Sequence, residues 1–117
     1  MRHQKKKVTL DRKSPARRSL FANLAESLIL YEKIKTTKAK GKALRSVVEK
    51  LITKAKKNTL AGRRDLAKVL YTKNAVKKMM EVIGPRYVDR KGGYTRLTAI
   101  GATRLGDGGE EVIIELV

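Results

Sequence analysis

Apolar residues at Leu20, Phe21, Leu24, Leu28 and Tyr31 recur at the spacing of one helix face. Ahead of them Ser14-Pro15 offers a hydroxyl cap and a proline where a missing N–H costs nothing, so a helix is predicted over 15–31. The alternating, β-branched stretch Lys33-Ile34-Lys35-Thr36-Thr37 reads as a brief strand, with Thr37 placed to cap the next helix. Leu44, Val47, Val48, Leu51, Ile52 and Ala55 then form the cleanest helical stripe in the chain, and Gly41 weakens only its first turn.

Asn58-Thr59 provides another cap before a short helix carrying Leu60, Leu66, Ala67, Val69 and Leu70. A tight connection at 72–74 leads to a fourth helix with Val76, Met79, Met80 and Ile83, which Gly84-Pro85 is expected to end. Phe21, Tyr31, Met79 and Met80 fall at helical spacing and are assigned to the core. Residues 86–93 have no usable period and contain a glycine pair, the mark of a loop. Tyr94 to Leu105 is strand-like, with Gly101 as an expected bulge, and Gly106-Asp107-Gly108-Gly109 is a strong hairpin turn. The last segment, 110–117, places Val112, Ile114 and Leu116 on one face.

The order αβαααββ predicts a two-layer α+β domain, helices packed on a small sheet that includes a C-terminal β-hairpin. Residues 14–117 form that single domain and residues 1–13 a basic N-terminal arm. A chain of 117 residues has room for one core, and 41% apolar residues are too many for a disordered polycation.

Charge changes the picture most. Twenty-nine Lys and Arg against eleven acids give a net charge of +18. Residues 1–18 hold eight basic side chains and one acid, and residues 38–57 repeat the imbalance, whereas beyond Arg104 the chain carries Asp107, Glu110, Glu111 and Glu115 and no base. Nucleic acid is the expected partner of such a chain. With no cysteine and a single histidine, His3, thiol chemistry and zinc-thiolate sites drop out, and no catalytic acid–base group stands out. Neither glycine cluster has the spacing of a phosphate-binding nucleotide loop, and no apolar run is long enough to span a membrane. No cofactor, small-molecule substrate or membrane partner is expected, and the protein is expected in the cytoplasm.

Three clusters are the candidate contacts. Arg2, His3, Lys5, Lys6 and Lys7, with Arg12, Lys13, Arg17 and Arg18, suit a flexible arm that orders on a polyanion. Lys35, Thr36, Thr37, Lys38, Lys40 and Lys42 cluster at a strand-to-helix junction, where backbone N–H groups and hydroxyls favour phosphate. Arg86, Tyr87, Arg90, Lys91, Tyr94 and Arg96 combine arginine with aromatics, as stacking on unpaired bases requires; the competing reading packs both tyrosines against the sheet edge. An alternative function is a helix-turn-helix DNA-binding regulator using residues 60–83, against which stands the scarcity of base-reading Asn and Gln there.

Taken together, Met1-Arg2-His3, the stretch LFANLAESL at 20–28, Ile34-Lys35-Thr36-Thr37, Gly84-Pro85-Arg86-Tyr87, the run Arg90 to Arg96 and the closing Glu115-Leu116-Val117 resemble the bacterial large-subunit ribosomal protein L17 family over essentially the full length. The resemblance implies a non-catalytic structural constituent of the large ribosomal subunit, bound to 23S ribosomal RNA near the polypeptide exit tunnel, with neighbouring large-subunit proteins as further partners. Two departures stand out. Lys13-Ser14-Pro15-Ala16-Arg17 replaces the family's common Ser-Ser-His-Arg, and Ala22 stands where arginine is frequent, so contacts through that histidine or arginine do not carry over. Arg17 and Arg18 are the nearby substitutes.

Overall fold

The computed structural model describes residues 8–101 and 103–117 of the chain. Its first helix, α1, spans Ser14–Tyr31 and starts one residue earlier than the serine cap requires: Lys13 is the N-cap, Ser14 is already helical, and Pro15 lies in the first turn as expected. Glu32 ends α1 in the left-handed region (φ 62°), donating its N–H to the Leu28 carbonyl at 2.7 Å. The buried face differs from the expected stripe. Ala22, Ala25, Leu28 and Ile29 point inward while Tyr31 is 75% exposed and Phe21 half-buried. Both faces of α1 carry apolar residues, so the fit of its alanines against neighbouring elements decides which one is buried.

Strand β1, Lys33–Thr37, matches its expected bounds. Helix α2, Lys38–Lys56, buries the expected Leu44, Val48, Leu51, Ile52 and Ala55, and it touches α1, most of the later helical segments and all three strands. Gly41 does more than interrupt its first turn: a Cβ there would lie 2.7 Å from Val112 Cγ2 and 3.2 Å from Leu97 Cδ2. The absent side chain lets α2 approach the sheet closely.

Helix α3, Leu60–Val69, is capped by the Thr59 hydroxyl, which accepts from the Gly62 N–H at 3.0 Å. Thr72 caps α4, Lys73–Lys78, in the same way. The helical path then widens into a π turn over Met79–Ile83 and closes as α5, Gly84–Arg86. Gly84-Pro85 therefore does not end the helix. Gly84 is helical (φ −53°), and its missing Cβ would lie 2.8 Å from the Ala55 carbonyl oxygen. It is a contact glycine. A proline inside a helix lacks an N–H and crowds the carbonyl one turn back, and the π turn just before Pro85 absorbs that mismatch.

Strands β2, Thr95–Ala99, and β3, Glu111–Leu116, form the expected C-terminal hairpin, but β2 stops six residues short of Leu105. Gly101 lies in a bend beyond it, not in a bulge. The sheet order is β1-β3-β2, antiparallel throughout, with Ile34 opposite Ile114 and Leu97 opposite Ile114. Val112 and Ile114 face the helices, while Lys33, Lys35, Arg96 and Thr98 lie on the other, open face. Leu28, Ile29, Leu44, Val48, Ile52, Leu66, Leu70, Met79, Ile83 and Ile114 fill the space between the layers.

Candidate nucleic-acid interface

Of the arm, Arg2, His3, Lys5, Lys6 and Lys7 lie outside the described residues. From Val8 onward the chain turns through Leu10 and Asp11, both at positive φ, and runs into α1. Arg12 donates to the Leu10 carbonyl at 3.3 Å and Arg17 to the Arg12 carbonyl at 3.1 Å. Two guanidinium groups thus steady the turn while keeping their charge. Lys13 and Arg18 are exposed beside them.

The strand-to-helix junction is organised differently from the expected anion site. Alternation along β1 sends Thr36 inward, where it is buried, and leaves Lys35 on the open face. Thr37 occupies the N-cap position of α2 without a side-chain cap bond. The Lys38 N–H donates to the Glu110 carbonyl at 3.1 Å, and the Lys38 ammonium sits 3.2 Å from the Glu110 carboxylate. The acidic hairpin therefore already occupies this helix end, which an isolated sequence segment could not reveal. Lys40 is half-buried on the first turn of α2, and Lys42 is exposed at the start of the second.

The loop is built by its tyrosines instead of presenting them. Tyr87 and Tyr94 are each 3% exposed, so neither ring offers a face to a base, which corrects the stacking role. Their rings lie 5.3 Å apart at 56°, the Tyr87 hydroxyl donates to the Val117 carbonyl at 2.6 Å, and the Val117 N–H donates to the Tyr94 carbonyl at 2.9 Å. Lys56, from the end of α2, donates to the Tyr94 hydroxyl at 2.9 Å and to the Arg90 carbonyl. Its nitrogen is 5.1 Å from the ring centroid, so it sits beyond the phenol oxygen and not over the ring. That hydrogen bond holds the Tyr94 phenol below the usual tyrosine value.

The cations of the loop divide in two. Arg86 is paired with Glu32, and Lys78 stands 3.9 Å from the same carboxylate; the Arg86 hydrogen bond holds Glu32 below the ordinary carboxylate value. Arg96 reaches Glu115 at 3.0 Å across the sheet. Arg90 and Lys91 are exposed, and Gly92 (φ 84°) and Gly93 (φ 62°) make the turn behind them. Arg90 also donates from Nε to the Gly93 carbonyl at 3.2 Å, which orients its guanidinium.

Two groups escaped the sequence reading. Glu26 accepts from the backbone N–H of Tyr71 at 2.6 Å and of Thr72 at 2.9 Å, tying the α3–α4 turn to α1. Arg63, Lys73 and Lys77 meet around a groove of about 620 Å³ between α3 and α4. Arg63 lies 10 residues before Lys73, a separation that carries no periodic signal across a turn. Among the described residues no helix is long and apolar enough to cross a membrane, and no cluster of His, Cys, Asp and Glu is placed to hold a metal.

The family model for ribosomal protein L17 matches residues 20–117. The large ribosomal subunit protein bL17 of Sulfurihydrogenibium sp. (strain YO3AOP1) is 47% identical over 117 residues, covering 100% of this chain and 97% of its own length. That of Solibacter usitatus (strain Ellin6076) is 48% identical over 117 residues, covering 100% of this chain and 77% of its own. That of Hydrogenobaculum sp. (strain Y04AAS1) is 46% identical over 117 residues, covering 100% and 99%.

Proposed function

The chain belongs to the ribosomal protein L17 family, and from that premise we propose that it binds 23S ribosomal RNA near the polypeptide exit tunnel. It is a non-enzymatic structural constituent of the large ribosomal subunit in the cytoplasm. The full-length match to bL17 proteins is the observation that carries this reading, and the resemblance is its support for the site near the tunnel.

Lys13 closes the arm, and the body presents Arg18 at the start of α1, Lys35 and Lys42 around the junction, and Arg90 and Lys91 on the braced loop. All six side chains are exposed, as phosphate contacts require. Arg86, Arg96 and Lys38 contribute through pairs with acids, so their net field is weaker. The arm, residues 1–13, threads between RNA segments, and the acidic terminal hairpin faces solvent or a basic ribosomal protein.

Neutralising about six phosphates gives a log-log salt slope of roughly −4 to −5 for binding to 23S ribosomal RNA. Titration of the chain into that RNA across a salt series measures it, and an affinity independent of salt rejects the reading. Cofractionation with large subunits, followed by protein–RNA crosslinking, tests the location.

A further inference from the structure

We propose that the groove between α3 and α4 is an additional RNA site, in which Tyr71 stacks on an unpaired base while Arg63, Lys73 and Lys77 hold the adjoining phosphates. This rests on the RNA-binding reading above and assigns it a surface outside the three basic clusters of the sequence.

Tyr71 lines the groove and is 59% exposed. The chain has only four tyrosines, and two of them, Tyr87 and Tyr94, are consumed by the loop brace. Of the other two, Tyr31 and Tyr71, only Tyr71 lines a basic groove among the described residues. Its backbone is pinned, because the Glu26 carboxylate takes both the Tyr71 and Thr72 N–H groups. A fixed backbone lowers the ordering cost of using the ring as a platform.

Charge selects the occupant. Arg63, Lys73 and Lys77 are exposed and enter none of the ion pairs among the described residues, while the lining contributes one acid, Glu81. A solvated helix face would also be charged, but it would not need an exposed aromatic ring set among three cations. A volume of about 620 Å³ is in the range of pockets that hold small ligands of nucleotide size. Aromatic plus cation is the pairing that single-stranded nucleic acid selects.

The test compares the full chain with Tyr71→Ala, Tyr71→Phe and the double variant Lys73→Gln/Lys77→Gln in binding to transcribed 23S ribosomal RNA. Tyr71→Ala is expected to weaken binding by roughly 5- to 100-fold, Tyr71→Phe to stay near the parent, and the lysine pair to flatten the log-log salt slope by about 1.4 to 1.8. Ultraviolet crosslinking should also yield a nucleotide adduct on the peptide containing Tyr71. Because Tyr71 is exposed, thermal unfolding of the alanine variant serves as the folding control. Undiminished binding by Tyr71→Ala with no adduct overturns the groove site and leaves the RNA-binding reading intact. Failure of the parent chain to bind this RNA overturns both, and preference for duplex DNA at matched salt overturns both in favour of a helix-turn-helix.

Discussion

The two ends of α2 are alike in the kinds of residue that meet there and different in what those contacts do. Each has a lysine that reaches the C-terminal part of the chain and a glycine at a close crossing. At the start, Lys38 meets Glu110 with both side chains more than half exposed, and Gly41 lies against side-chain methyl groups. At the end, Lys56 bonds the Tyr94 hydroxyl and the Arg90 carbonyl, and Gly84 lies against the Ala55 backbone. An ammonium group is a water-screened surface partner in one place and a fastener of the loop in the other. What separates them is the accessibility of the partner, since Glu110 is on an exposed turn and Tyr94 is buried.

The largest effect expected on this contrast comes from the glycines. Gly84→Ala pushes a methyl group into a backbone carbonyl that cannot rotate away, and should cost about 2 to 3 kcal/mol in urea unfolding. Gly41→Ala meets a valine methyl and a leucine tip that yield more readily, and with the helix propensity gained should cost about 1 kcal/mol. Equal losses would erase the difference between the two ends.

Lys56→Met comes next, at about 1 to 2 kcal/mol, because it removes a charged donor from a buried hydroxyl and a carbonyl. The same change should raise the Tyr94 phenol back toward the usual tyrosine value in an alkaline absorbance titration. An unmoved titration would show that Lys56 is no fastener. This lysine is consequently unsuitable as a neutral control for RNA binding, although its place on a lysine-rich helix suggests one.

Glu32 tests the far side of the same region. Its carboxyl is lowered in the folded state from an ordinary 4.5, so its contribution is fully present above that value and fades as pH falls through the lowered one. Glu32→Gln should therefore be less stable than the parent at neutral pH, by at most about 1 kcal/mol for such an exposed pair, and the gap should close in acid. A gap that persists in strong acid would assign it to packing.

The smallest effect belongs to Lys38→Gln, expected within about 0.5 kcal/mol of the parent. Glu110→Gln should be equally mild for folding yet tighten RNA binding, since it releases the Lys38 charge. Weaker binding by Glu110→Gln would place the acidic turn among the groups that assist RNA contact.

Most of the fold was legible because α2, α3 and β3 present one dominant apolar face each, and local pattern then suffices. The π turn before Pro85 was not, since glycine followed by proline is the ordinary sign of a helix end, and only the approach of Ala55 gives Gly84 another purpose. The site was read less well. Arginine and tyrosine close together on a loop describe an RNA platform and a folded brace equally, and at Tyr87 and Tyr94 the brace is what formed.

The amino-acid order by itself determined the α+β class, the order of helices and strands, the terminal hairpin and the strongly cationic character, because each depends on spacing along the chain or on composition. Tertiary structure alone decided which charges remain available. Residues 19 or more apart, such as Arg96 with Glu115 and Lys38 with Glu110, meet only through the fold, and a charge is neutralised by its neighbours in space.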